Sequence, residues 1–181
     1  MRITKVTTKT GDMGETSMGD GKRVSKDHPA MVFQGDLDEL NSHIGLALAV
    51  EGINDWSEPL LSIQQDIFNI GGEASMPNTD VSLLKKDRIS FLESAIETMN
   101  SELPPLKEFI LPGGNQFCAH LHVVRAACRR AERSCVTLLN NGEDVKLWLQ
   151  YLNRLSDYIF VLARCVHLKL DGQEELWQRE K

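Results

Sequence analysis

Residues 109–133, FILPGGNQFCAHLHVVRAACRRAER, decide how the chain reads. A Pro112-Gly113-Gly114 turn feeds a stretch with the 3.6-residue period of a helix. Projected at about 100° per residue, Leu121, Val124, Ala127, Cys128, Ala131, Cys135 and Leu138 fall on one arc and predict a core seam. Arg125, Arg129, Glu132 and Arg133 fall on the opposite arc, below Cys118 and His122. Arginines at i, i+4 and i+8 repel one another by a few tenths of a kcal/mol per pair. Glu132 offsets part of that repulsion, and an anion would offset the rest. A guanidinium is a rigid fork of donors matched to phosphate or carboxylate. A solvated basic face is the plainer alternative. It fits less well in a chain of net charge −6, where such a stripe stands against the overall balance.

Downstream, Asn140-Asn141-Gly142 supplies left-handed-competent residues to stop this helix. The stretch 144–169, DVKLWLQYLNRLSDYIFVLARCVHLK, is apolar nearly all round and predicts the central, most buried helix. Asn153, Arg154 and Asp157 are then expected to need buried partners, with Asn153 and Asp157 able to face the arginine stripe or join an internal network. Residues 171–181 read as a polar, frayed tail apart from Trp177.

Upstream, three more helices are expected. Residues 33–50 carry Leu37, Leu40, Ile44 and Leu48 inward, with Asp36 as N-cap and Glu39 completing a capping box. Asp38, Asn41, Ser42 and Gly45 share another face. Residues 56–74 place Pro59 in a first turn and Leu60, Ile63, Ile67, Ile70 and Ala74 inward, with Gly71-Gly72 marking close packing or a bend. Residues 85–101 turn Ile89, Leu92, Ile96 and Met99 inward, before Pro104-Pro105 breaks the chain. Residues 1–32 have no apolar period and read as irregular: either disordered or a polyanion-binding loop built from glycines, hydroxyls and Lys9, Lys22, Arg23 and Lys26. No Walker A pattern occurs. The expected architecture is all-α: one domain over 1–181, a five-helix bundle of ferritin-like up-down topology at 33–170, with the irregular loop at 1–32 and the tail at 171–181.

Composition narrows the function. An acidic chain lacks the broad basic surface of a nucleic-acid or anionic-membrane binder, and no apolar run approaches the ~20 residues of a membrane span. The first residues show no apolar signal region, so a cytoplasmic protein is expected. Cys118, Cys128, Cys135 and Cys165 lack C-x-x-C spacing and read as reduced, buried thiols. Paired Glu-x-x-His motifs for a di-iron site are missing, and His120 and His122 lie about 160° apart on their helix, too far round to chelate together. With no recognisable nucleophile and no metal cage, the chain offers anion binding from two places, the N-terminal loop and the arginine helix. Two such cradles suggest a triphosphate between them, with the loop reaching a neighbouring subunit if it is not folded on its own bundle.

Four blocks resemble the PduO-type ATP:cob(I)alamin adenosyltransferases: Thr8-Lys9-Thr10-Gly11-Asp12-x-Gly14-x-Thr16 with Arg23-Val24-x-Lys26; Gly35-x-x-Asp38-Glu39-Leu40-Asn41-Ser42; Phe109 to Gly114 with Arg125-x-x-Cys128 to Arg133; and Tyr151 to Asp157. The match they carry runs over about residues 7–170. The resemblance implies a homotrimer with active sites at subunit interfaces. It implies that Thr8, Lys9, Thr10, Gly11, Thr16, Ser17 and Lys26 of one subunit bind ATP with Arg129, Arg130, Ala131, Glu132, Arg133 and Asn153 of the next. Phe109, Asp38, Arg125 and Arg129 would be the catalytic set, Phe109 taking the lower face of the corrin and Asp38 pairing with Arg125 across the interface. The implied reaction moves the 5′-deoxyadenosyl group of ATP onto cobalt and releases triphosphate. Co(I), made from a four-coordinate cob(II)alamin, is the nucleophile. Mg²⁺ would ride on the phosphates rather than on protein ligands. A flavoprotein reductase would donate the electron, and a cobalamin-dependent enzyme could receive the product. A corrinoid- or nucleotide-binding bundle that delivers or senses cofactor without turnover is the competing class. The polar C-terminus is the departure from expectation, because apolar cover is expected near the corrin.

Overall fold

The computed structural model describes residues 7–77, 79–170 and 172–179. In chain order these form β1 (Glu15–Ser17), β2 (Arg23–Ser25), α1 (Pro29–Leu48), α2 (Asn54–Ser75), α3 (Asp87–Ser101), α4 (Gln116–Asn140) and α5 (Lys146–Lys169). The five expected helices are present. α1 packs on α2 and α4, and α5 packs on α4 and α3. The arc of Leu121, Val124, Ala127, Cys128, Ala131, Cys135 and Leu138 is buried throughout. Its small members let α4 approach α5 closely enough for the Cys128 Sγ to lie 3.2 Å from the Leu152 carbonyl. Burial pushes the Cys128 and Cys135 thiols up, the latter to about 12, so both stay protonated and inert. All four cysteines are free and buried. α5 is the central helix, buried almost without interruption from Leu155 to Val166.

Several local expectations are corrected. α1 begins at Pro29, not at 33. Proline suits a first helical position because its missing N–H is not needed there, and the His28 side chain caps by accepting from the Ala30 N–H. Asp36 is therefore mid-helix and caps nothing. It and Glu39 face Arg130 of α4 instead. Pro59 falls in the second turn of α2, which begins at Asn54. Residues 1–32 are not wholly irregular. β1 and β2 pair antiparallel, Thr16 opposite Val24, and close on a turn with Gly21 at φ +85°. Their tip is docked on the chain's own bundle: Met18 is buried, and the Gly19 N–H donates to the Ser75 carbonyl at 2.8 Å. Asn153 and Asp157 are exposed rather than buried, on the outer edge of α5. The tail from 172 is not frayed; it lies against residues 109–111.

A charged network joins three helices inside the bundle. Asp66 of α2, 5% exposed, accepts from the Arg88 Nε of α3 at 2.7 Å and from the Tyr151 hydroxyl of α5 at 2.8 Å. Arg88 also donates to the Ser62 hydroxyl and stacks over Phe91. Asp66→Ala would leave the Arg88 Nε and the Tyr151 hydroxyl without their acceptor, and the guanidinium without its counter-charge. Removing one partner of a buried pair costs about 3–5 kcal/mol. Urea unfolding of Asp66→Ala is expected to show a midpoint lowered accordingly at unchanged m.

Candidate active site

The arm preceding α1 is folded to expose donors. The Gly14 N–H closes a turn onto the Gly11 carbonyl at 3.2 Å, and the Lys26 N–H reaches the Gly14 carbonyl at 2.8 Å. Lys9 sits at φ +60° and Gly14 at +85°, both in the left-handed region, which tightens the turns of the arm. Lys26 lies over Gly11: a Cβ built there would come within 3.2 Å of its Nζ. The Arg23 guanidinium donates to the Thr10 carbonyl at 2.8 Å, bracing the loop from behind. Thr8, Lys9, Thr10, Ser17 and Lys26 are exposed, with Gly11 and Thr16 half-buried beneath them.

The arginine stripe of α4 differs from every other arginine described. Nine arginines are described, and six of them, Arg23, Arg88, Arg130, Arg154, Arg164 and Arg179, hold a carboxylate. The other three, Arg125, Arg129 and Arg133, have no carboxylate within reach among the described residues. Arg133 donates only to the Arg129 carbonyl, and the Arg125 Nε is buried with no partner. Burial and the neighbouring Arg129 hold the Arg125 guanidinium below its usual affinity for a proton. These are cations in want of an anion. Asn153 donates to Glu132 at 3.0 Å, so the two sit side by side at the stripe's edge. Arg130, one residue away, is already neutralised by Asp36 at 3.0 Å and by Glu39, whose carboxyl it holds below the ordinary range. Ala131 is core.

No hydrogen bond or ion pair joins the arm to the stripe within one chain among the described residues. Asp38 is likewise unpaired with Arg125 here. It lies exposed on α1 beside a groove of about 310 Å³, formed by Gln34, Leu37 and Asn41 with Ile67, Phe68, Gly71 and Gly72 of α2. The buried Gln34 Nε2 and Asn41 Oδ1 lining it have no hydrogen-bond partner.

Phe109 stands on the loop between α3 and α4, with 71% of its surface exposed. Beyond it Gly114 takes φ +96° with no room for a side chain, since a Cβ would meet the His167 Nδ1 at 2.7 Å. Asn115 then caps α4 by accepting from the Cys118 N–H at 2.9 Å. Below the loop lies a cavity of about 300 Å³ containing Cys118, His122, Arg164 and His167. Burial and Arg125 lower the proton affinity of His122. Sequence reasoning missed two residues that shape this region, Arg164 and Glu174, and gave Trp177 no role beyond standing out from a frayed tail. Arg164 was visible as a lone charge in the apolar run of α5, but nothing in the sequence named its partner. Among the described residues no group of three or more His, Cys, Asp or Glu side chains could cage a metal ion. No described helix is long and apolar enough to cross a membrane.

Residues 6–166 match the family model for cobalamin adenosyltransferases. The chain is 46% identical over 181 residues to a cobalamin adenosyltransferase of Cupriavidus metallidurans, covering 99% of this chain and 97% of that one. It is 43% identical over 170 residues to the corrinoid adenosyltransferase of Bacillus subtilis, covering 91% and 88%. Its fold superposes with a TM-score of 0.91, at 32% identity and over 97% of this chain and 100% of the other, on a variant of the PduO-type ATP:corrinoid adenosyltransferase from Lactobacillus reuteri complexed with cobalamin and ATP. The donor-rich arm, the stripe of arginines without carboxylate partners among the described residues and the five-helix scaffold thus occur together in a chain that belongs to the cobalamin adenosyltransferase family.

Proposed function

We propose that this enzyme transfers the 5′-deoxyadenosyl group of ATP to the cobalt of a reduced corrinoid, through sites shared between subunits of a homotrimer. One observation carries the reading: among the described residues, the arginines without carboxylates are the three aligned on α4, and no hydrogen bond or ion pair joins to them the arm that could complete an anion site. Although its tip is anchored on its own bundle at Met18 and Gly19, the arm of one subunit, with Thr8, Lys9, Thr10, Gly11, Thr16, Ser17 and Lys26, turns its free side to the stripe of the next, with Arg129, Arg133, Glu132 and Asn153. Arg130 stands in the same row, but Asp36 and Glu39 already neutralise it, so its pull on phosphate is weaker. The orphaned Arg125 and the exposed Asp38 are complementary, which supports a pairing across the same interface.

Cobalt supplies the nucleophile. A Co(I) lone pair attacks C5′, the C5′–O bond breaks, and the electron pair leaves with triphosphate. The protein's part is to hold ATP with C5′ rather than the γ-phosphorus facing the metal, and to stabilise the charge gathering on the leaving group. Mg²⁺ would neutralise phosphate charge, held by the phosphates themselves. Phe109, exposed on its loop, would take the lower face of the corrin and remove the axial ligand, so that a flavoprotein reductase could deliver the electron. The product suits transfer to a cobalamin-dependent enzyme in the cytoplasm.

The direct test is anaerobic: reduced cobalamin plus ATP, followed by absorbance. A light-sensitive Co–C product is expected; its absence would leave only a binding role. The shared site has its own test. Lys9→Ala chains and Arg129→Ala chains should each be inactive alone. Unfolded and refolded together, random trimers should regain about a quarter of wild-type activity, because one interface in four then joins an intact arm to an intact stripe. No recovery on mixing would place both cradles in one chain.

A further inference from the structure

We infer that the Arg164–Glu174 ion pair is a positioning device for Phe109, acting through the C-terminal segment. This rests on the lower-face role proposed for Phe109. The Phe109 ring packs on little, so its position is set by the backbone beneath it. That backbone is held from one side by the tail. The Leu111 N–H donates to the Glu175 carbonyl at 2.8 Å, and the Trp177 N–H donates to the Phe109 carbonyl at 2.7 Å, so Ile110 and Leu176 face each other as a single antiparallel bridge. The Trp177 ring meets Phe109 edge-on at 6.2 Å. Arg179 lies over Trp177 and pairs with Glu108, the residue before Phe109.

Two bridging hydrogen bonds cannot hold a polar segment by themselves. The anchor is Arg164, 5% exposed on α5. Its Nε and Nη2 grip both carboxylate oxygens of Glu174, at 2.7 and 3.2 Å, and Nη2 also donates at 2.9 Å to the carbonyl of Pro104, where the Phe109 loop begins. One guanidinium therefore fastens the root of the loop and the tail that braces it. One turn further along α5, His167 fills the space between Gly114 and Gly172: a Cβ at either would fall within 2.7 Å of its ring. Arg164 and His167 form a floor on which loop and tail are set together. The polar C-terminus thus has a structural use that apolar cover would not serve: its glutamate is the key to a buried lock. A bidentate charged pair also fixes direction, so the brace sets where the ring stands as well as whether the tail stays on.

The test uses full-length Glu174→Gln and, as a second variant, the chain ending at Leu170, each checked for folding by circular dichroism. Two readouts are taken. Hydrogen exchange should show the Leu111 amide exchanging about tenfold faster or more in both, as expected when a charge-assisted anchor is lost. The fraction of cob(II)alamin held four-coordinate in the presence of ATP, read by electron paramagnetic resonance, should fall severalfold, with KM for ATP unchanged; Glu174→Asp, which keeps the charge, should restore part of it. If both variants leave that fraction at the wild-type level while Phe109→Ala abolishes it, the brace is wrong and the role of Phe109 stands. If Phe109→Ala itself leaves the fraction unchanged, the lower-face reading fails and takes the positioning role with it. A rise in the ATP KM equal to the loss in coordination would mark general loosening and would also overturn the brace.

Discussion

Arg129→Ala is expected to lower kcat/KM for ATP by about 10²- to 10³-fold, the usual result of deleting one donor aimed at charge that develops in the transition state. Its position makes the variant clean. Arg129 is exposed and its side chain holds no carboxylate, so nothing in the bundle depends on it. Surface changes of that kind shift stability by about 0.5 kcal/mol or less, and the melting temperature should be wild-type. Arg130→Ala is the matched control. That guanidinium bridges α4 to Asp36 and Glu39 of α1, so its loss should cost stability and only modestly affect ATP. Arg129→Lys keeps the charge but not the fork, and should fall between wild type and alanine. Steady-state kinetics at saturating corrinoid, with ATP varied, separates these outcomes. An Arg129→Ala enzyme with unchanged ATP kinetics would remove the stripe from the site.

The helices were legible because each buries a periodic apolar face. The arc from Leu121 to Leu138 and the all-round apolarity of α5 left little choice of partner. The stripe was legible for the complementary reason: like charges at helical spacing repel one another and stand out in an acidic chain. Departures cluster where a short-range signal had two outlets. Asp36 and Glu39 have capping-box spacing, but Pro29 starts a helix about two turns earlier, so the same carboxylates serve Arg130. Asn153 and Asp157 looked buried because the pattern around them is apolar, yet they lie on the narrow face that α5 turns outward. The hairpin was hidden because three-residue strands carry no period; Gly19 docks through its backbone, which no side-chain pattern reports. The tail was hidden most completely. Its hold depends on Glu174 finding Arg164, and a polar segment with one well-placed glutamate reads like any frayed end.

Phe109→Ala should act on the other substrate. With 71% of the ring exposed, its removal leaves no core cavity and forfeits at most the edge contact with Trp177, worth about 0.5–1.5 kcal/mol. ATP sits elsewhere in the proposed site, so its KM should stay within about twofold of wild type. The loss belongs to cobalt. A five-coordinate Co(II) corrinoid keeps its lower ligand and resists reduction. In the proposed role the ring removes that ligand by occupying its position, a geometric effect that a smaller side chain would not reproduce. A displaced reacting geometry costs about 10²-fold, and a loss of that order in kcat is expected when cob(II)alamin and a flavoprotein reductase are supplied. Most of it should return when Co(I) is made chemically beforehand, because the variant is then excused from the step that Phe109 assists. This split separates the wedge from a role in alkyl transfer, which would leave the variant equally slow with either source of cobalt. If reduction of Co(II) proceeds normally in Phe109→Ala, an exposed phenylalanine at the surface has no part in activating the metal, and the lower face of the corrin must be sought elsewhere on the bundle.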